Sequence, residues 1–200
     1  MADKPVICLA GFAAVGKSTV GKMVAKRLGL KYVSGGDALK ALAAEMGYRP
    51  GGPGWWETSK GLEFLKLRGR DPSFDKKVDE KLLEMCRRGG IVVDSWVMPW
   101  LYRGRAFKVW LTADPRSRAE RMAKRSRISV KEASRLLRSR DIKSSKIYER
   151  LYGIRIGRDY SPFHLIVDTS RLSPKQVVEV IVHAAENFFK VPTLRRRRRG

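Results

Sequence analysis

The run Gly11-Phe12-Ala13-Ala14-Val15-Gly16-Lys17-Ser18 constrains this chain more than any other stretch. The apolar residues Val6-Ile7-Cys8-Leu9-Ala10 come directly before it and read as a buried strand. Beyond it Val20, Val24 and Leu28 fall four apart, which predicts a helix that opens at Gly16-Lys17-Ser18. The spelling Gly-x-x-x-x-Gly-Lys-Ser/Thr between a strand and a helix is that of a Walker A phosphate-binding loop. Gly11 and Gly16 let backbone N–H groups turn inward around a polyphosphate. The N-terminus of the following helix adds its dipole. Lys17 can reach the β- and γ-phosphates, and the Ser18 hydroxyl can ligate Mg²⁺. ATP contacts are therefore expected along Gly11, Phe12, Ala13, Ala14, Val15, Gly16, Lys17, Ser18 and Thr19. The bland alternative is a glycine-rich turn, and the intact pattern argues against it.

A chain of 200 residues suits one domain with an insertion and can bury a good core. The formal net charge of +23 attracts nucleotides, RNA and acidic lipid surfaces alike, and does not choose among them. Cys8 and Cys86 are too few and too far apart for a disulfide framework, so a reducing cytosol is expected. Cys8, in the first strand, reads as packing. No signal peptide and no membrane-spanning run is read in the sequence. Arg195-Arg196-Arg197-Arg198-Arg199 is too charged to fold. Residues 191–200 are expected to form a disordered basic tail that binds RNA weakly and without sequence preference, or merely aids solubility.

Taken in order, Gly29 stops the first helix and Lys31-Tyr32-Val33 reads as a short strand. Ser34-Gly35-Gly36-Asp37 reads as a turn, with Asp37 capping a helix over Ala38–Met46. Glycine and proline density predicts an irregular segment from Gly47 to Trp56. The pair Trp55-Trp56 is either a mini-core or a surface on which a base stacks. Helices are expected over Glu57–Arg70 and from Asp71-Pro72 to Gly89, the second with Phe74, Val78, Leu82 and Met85 inward. Ile91–Trp96 and Phe107–Leu111 read as buried strands. Asp114-Pro115 opens a helix whose outer face carries Arg116, Arg118, Arg121, Lys124, Arg125 and Arg127. Ser129-x-x-Glu132 is a capping box for a helix reaching about Leu151. His164–Asp168 is the last strand, and Ser173-Pro174 opens the last helix. Continuous apolar strands alternating with helices predict a parallel sheet covered on both faces. Ligands in such sheets sit at the carboxyl ends of the strands. That edge would gather the Walker loop, Ser34–Asp37, Asp94 and the segment after Asp168.

Asp94 ends a strand where a carboxylate can hold Mg²⁺ through water; the alternative is an ordinary strand-end cap or ion pair. Arg138, Arg140, Lys143 and Lys146 share a helical stretch that could close over phosphates, or form a solvated basic face. His164 and His183 receive no role.

Further motifs agree in order and spacing with one family. Tyr32–Asp37, Asp71-Pro72 with Asp75–Glu80, Val109–Ala113 with Arg118–Met122, Arg140-Asp141 with Tyr148 and Tyr152-Gly153, and Asp168–Ser170 together resemble the archaeal-type cytidylate kinases. These are P-loop nucleoside-monophosphate kinases, and the resemblance runs from about Val6 to Phe188. It implies an α/β P-loop NTPase of three layers with a five-stranded parallel sheet. One domain over 1–190 is expected, with a monophosphate-binding insertion at about 36–88 and a helical lid at about 125–152. The implied activity is Mg²⁺- and ATP-dependent phosphoryl transfer to CMP or dCMP by a cytoplasmic monomer. The implied catalytic set is Lys17, Arg140 and Asp94, with Ser18 and Asp94 toward the metal. Ser34, Asp37, Lys40 and Asp141 are implied on the acceptor side. Lys40 and Trp96 stand where the family usually has arginine, and Arg68, Arg70 or Arg103 are candidates for the missing charge. Rival readings are a P-loop kinase for another small acceptor, and an RNA- or ribosome-associated P-loop ATPase.

Overall fold

A computed structural model describes residues 4–52 and 54–190. The arginine run, and with it the expected RNA contact, lies outside the described residues. Five parallel strands form one sheet in the order β2-β3-β1-β4-β5. They are β1 (Val6–Ala10), β2 (Lys31–Ser34), β3 (Ile91–Asp94), β4 (Phe107–Thr112) and β5 (Leu165–Asp168). The central strand β1 is buried throughout and pairs with β3 (Cys8 opposite Val93) and β4 (Leu9 opposite Val109). Its unbroken apolar run follows from having both faces covered.

One face packs on α1 (Lys17–Leu28) and α8 (Pro174–Lys190): Ile7, Leu9, Val92 and Leu111 meet Val20, Val24, Val177 and Ile181. The other face packs on α2 (Gly35–Glu45), α3 (Ser59–Arg70) and α4 (Ser73–Arg88). There Val6, Cys8, Ile91 and Val93 meet Leu39, Phe64, Leu82 and Cys86. Alternating strand side chains supply the two half-cores. A short α5 (Met98–Leu101) follows β3. Between β4 and β5 run α6 (Pro115–Ser126) and α7 (Val130–Tyr152), joined by their own core of Ala119, Met122, Ala133 and Leu137. Among the described residues no helix is long and apolar enough to cross a membrane.

Several local expectations shift. Ser34, not Asp37, caps α2: its Oγ accepts the Asp37 N–H at 3.2 Å, so the helix starts at Gly35 and Asp37 sits in its first turn, where a negative charge suits the dipole. Ser129 does cap α7, accepting the Glu132 N–H at 3.1 Å. Trp55 and Trp56 are buried, rings 4.9 Å apart and against Phe64, which is the mini-core reading. The basic face of α6 is not all outward: Arg118 and Arg121 turn in and bond the chain around the Walker loop and the end of β5.

Candidate active site

The loop between β1 and α1 takes its shape from backbone that side chains resist. Gly11 has φ 146°, and a Cβ there would lie 2.3 Å from the Leu111 carbonyl oxygen. Gly16 has φ 97°, and Ala14 also sits in the left-handed region at 62°. No side chain caps α1 and its first turn holds no acid, so its leading N–H groups stay open to an anion. Lys17 Nζ donates to the Gly11 and Phe12 carbonyls, both at 2.9 Å, and lies 5.7 Å from the Trp96 ring centre. Burial pulls its pKa down while Asp94 pushes it back up.

Asp94 ends β3 beside this loop and is 5% exposed. Its Oδ2 accepts from Ser18 Oγ at 2.8 Å and from Tyr32 Oη at 3.1 Å. A hydroxyl and a carboxylate are hard oxygen donors, and together they fit Mg²⁺, which keeps most of its ligands as water and phosphate oxygen. The segment after β5 closes the loop's other side. Thr169 Oγ1 lies 3.0 Å from the Val15 carbonyl oxygen and accepts from Arg121 Nη1 at 2.9 Å.

A single cavity of about 900 Å³ opens from the loop and runs across the sheet edge. Ala13 through Thr19 line one end, with Asp94 and Trp96 beside them. Gly11 and Phe12 lie behind, supplying the carbonyls that hold Lys17. Ser34, Asp37 and Lys40 line the α2 side, where Lys40 Nζ donates to the Gly52 carbonyl at 3.0 Å. Burial lowers the Lys40 pKa and Asp37 opposes it. Arg121, Lys124, Arg125 and Arg140 enter from α6 and α7. Of the expected cations on α7, Arg140 lines the cavity while Arg138 and Lys146 are exposed.

The far wall holds Arg68, one of the candidates for the missing charge, together with two acids that sequence reading did not single out as site residues. Arg68 of α3 grips Asp75 of α4 with two hydrogen bonds, Nε–Oδ2 3.0 Å and Nη2–Oδ1 2.5 Å. Asp75 is 1% exposed and Asp79, one turn on, 3%. Tyr152 Oη donates to Asp79 Oδ2 at 3.1 Å. Burial, with Asp75 alongside, pushes the Asp79 carboxyl up to about 8. The missed signal was two acids at i, i+4 on the same stripe as Val78 and Leu82. Of Arg68, Arg70 and Arg103, it is Arg68 that lines the cavity, its guanidinium 5.6 Å from the Trp56 ring centre.

Asp141 is placed differently. It pairs with Arg118 and accepts the Ala13 N–H at 3.4 Å, while Arg118 Nε donates to the Ala13 carbonyl at 2.8 Å. This pair holds the Walker loop from behind; Asp141 is not among the residues that line the cavity.

Sheet order, Walker loop and edge cavity define a P-loop nucleotide-binding protein of the kinase fold. The solved shikimate kinase of Bacteroides thetaiotaomicron shares that fold, with a TM-score of 0.57 at 15% identity over 94% of this chain and 99% of its own. Residues 6–171 match the cytidylate kinase-like family, and the chain belongs to it. It is 35% identical to the cytidylate kinase of Pyrococcus horikoshii over 94% of this chain and 92% of that protein. It is 34% identical to the cytidylate kinase of Ignicoccus hospitalis, over 88% and 96%. Membership implies ATP-dependent phosphoryl transfer.

Proposed function

We propose that this chain moves the γ-phosphoryl group of ATP to a nucleoside monophosphate, CMP or dCMP, giving the diphosphate and ADP. The carrying observation is the continuity of the cavity, from the Walker loop at one end to the Arg68–Asp75–Asp79 wall at the other. Such a cavity accepts two nucleotides with their phosphates facing. The membership of the chain and the names of its relatives supply the acceptor's class.

An oxygen of the acceptor's phosphate attacks the γ-phosphorus, the bond from that phosphorus to the β-bridging oxygen breaks, and ADP leaves. The acceptor's phosphate is already ionised near neutral pH, its second pKa being about 6. No general base is needed. Both histidines are engaged elsewhere: His164 Nδ1 accepts the Lys108 N–H at 3.0 Å, and His183 meets Asn187. What the reaction needs is positive charge and alignment. Lys17 and the α1 N-terminus hold the β/γ-phosphates. Arg140, Arg125, Arg121 and Lys124 face the transferring group. Ser18 and Asp94 would hold Mg²⁺, which neutralises phosphate charge when bound. Asp141, through Arg118 and Ala13, keeps the Walker loop in shape.

The segment from about 36 to 88 serves as the acceptor-binding insertion, with Ser34, Asp37 and Lys40 at its entrance. The stretch from about 125 to 152 serves as the lid, whose closure excludes water and limits wasteful hydrolysis. At the wall, an Asp79 that keeps its proton at neutral pH offers one O–H donor beside one carbonyl acceptor. That pair complements cytosine, whose N3 accepts and whose N4 amine donates.

An acceptor screen tests this reading, with all common monophosphates, small hydroxyl acceptors and RNA. ADP formation that depends on CMP or dCMP is the expected result. Turnover that needs RNA supports the ATPase reading instead, and turnover that needs a hydroxyl acceptor the other kinase reading.

A further inference from the structure

Glu57 carries no role in the mechanism above, yet it is the carboxylate on which three lid donors converge. Its Oε1 accepts from Arg140 Nη1 at 3.0 Å and from Arg125 Nη2 at 3.0 Å, and its Oε2 accepts from Ser126 Oγ at 3.3 Å. Its side chain is 4% exposed. The backbone beneath it is stiff. Glu57 ends the 3₁₀ turn Trp55–Glu57, whose two tryptophans are buried. Thr58 Oγ1 donates to the Trp55 carbonyl at 2.7 Å and accepts the Gly61 N–H at 3.2 Å. Gly61 lets α3 press on the turn: a Cβ there would stand 2.1 Å from the Trp55 carbonyl oxygen.

Arg140 is thereby fixed on two sides. Its Nη1 donates to Glu57, and its Cζ lies 5.1 Å from the Trp56 ring centre. Nε and Nη2 have no hydrogen-bond partner among the described residues, and Arg140 lines the cavity. A planar fork held through one nitrogen and packed beside an indole keeps its other donors available to a phosphate. Glu57 belongs to the element that leads into α3 and Arg68, whereas Arg125, Ser126 and Arg140 belong to α6 and α7. It therefore joins the two sides of the cavity across their phosphate-facing cations.

We propose that Glu57 is a positioning residue that couples the acceptor side to the lid by setting Arg140, so that phosphoryl transfer is fast only when both sides are docked. This rests on the kinase reading above.

The test uses the full chain and the variants Glu57→Gln, Glu57→Asp, Arg140→Ala and the double variant Glu57→Gln/Arg140→Ala. Glu57→Gln keeps the shape but loses the charge that orients both arginines. It should lower kcat for CMP-dependent transfer about ten- to hundredfold with KM for ATP nearly unchanged. ATP hydrolysis without acceptor should rise relative to transfer. Glu57→Asp, which keeps the charge on a shorter arm, should recover part of kcat. In the Arg140→Ala background Glu57→Gln should cost clearly less than in the wild type, leaving only the part that runs through Arg125. Unchanged kcat, or a loss that multiplies with that of Arg140→Ala, overturns the proposal. So does failure of both Glu57 variants to fold, which would make Glu57 a structural brace. A wild-type chain with no monophosphate-dependent transfer would instead sink the kinase reading itself.

Discussion

Ser18 Oγ donates to Asp94 Oδ2 at 2.8 Å, joining the first turn of α1 to the end of β3 across residues 76 apart in the chain. Each side chain comes from a different strand-to-helix connection, and parallel pairing of β1 with β3 sets them side by side. The carboxylate oxygen that receives Ser18 also receives Tyr32, so Asp94 is oriented from two directions.

Asp94→Asn should therefore lower kcat about ten- to hundredfold and raise the Mg²⁺ needed for half-maximal rate, with a smaller effect on nucleotide binding. A magnesium titration of the rate checks this. A variant that melts early but keeps its specific activity would mark Asp94 as structural.

Lys17→Ala should fold and lose phosphoryl transfer by on the order of a hundredfold or more. Lys17 touches two loop carbonyls and lies over Trp96, so its loss removes little packing. Steady-state kinetics beside a thermal melt separate the two effects. Near-normal turnover with unchanged ATP affinity would overturn the Walker assignment.

Arg118→Ala and Asp141→Ala should each raise KM for ATP more than KM for the monophosphate. Both act on Ala13, in the loop that surrounds the triphosphate. The double variant should cost about as much as either single one, because the pair works as a unit. A selective rise in monophosphate KM for Asp141→Ala would return that residue to the acceptor side.

Asp79 makes stability depend on pH. Its folded pKa of about 8 stands above the ordinary carboxylate value of about 3.9, so the unfolded chain sheds the proton first as pH rises. Its contribution is full below about pH 4 and falls as pH climbs toward 8. Asp79→Asn, which cannot ionise, should show a flatter melting temperature between pH 5 and 8 than the wild type. Parallel curves would mean that Asp79 is not held neutral. The same variant keeps a donor beside a carbonyl acceptor and should retain discrimination among monophosphate bases, whereas Asp79→Leu should weaken it.

The Walker loop is legible in the primary sequence because its chemistry is local: two glycines, a lysine and a serine within one turn of chain suffice. The parallel sheet is legible for a similar reason, since full burial of strands such as Ile91-Val92-Val93 leaves an unbroken apolar signature. The far wall of the cavity is not. Periodicity assigns polar side chains to solvent, yet Asp75 and Asp79 share the inward stripe of α4 with Val78 and Leu82. Their burial is tolerable because Arg68 from α3 and Tyr152 from α7 meet them there. Those partners stand 7 and 73 residues away. Glu57 likewise looks like a surface acid until folding brings Arg125 and Arg140 to it from 68 and 83 residues on. Patterns written in neighbouring residues survive without the fold; the offsetting of a buried charge by a distant partner exists only once the chain has closed on itself.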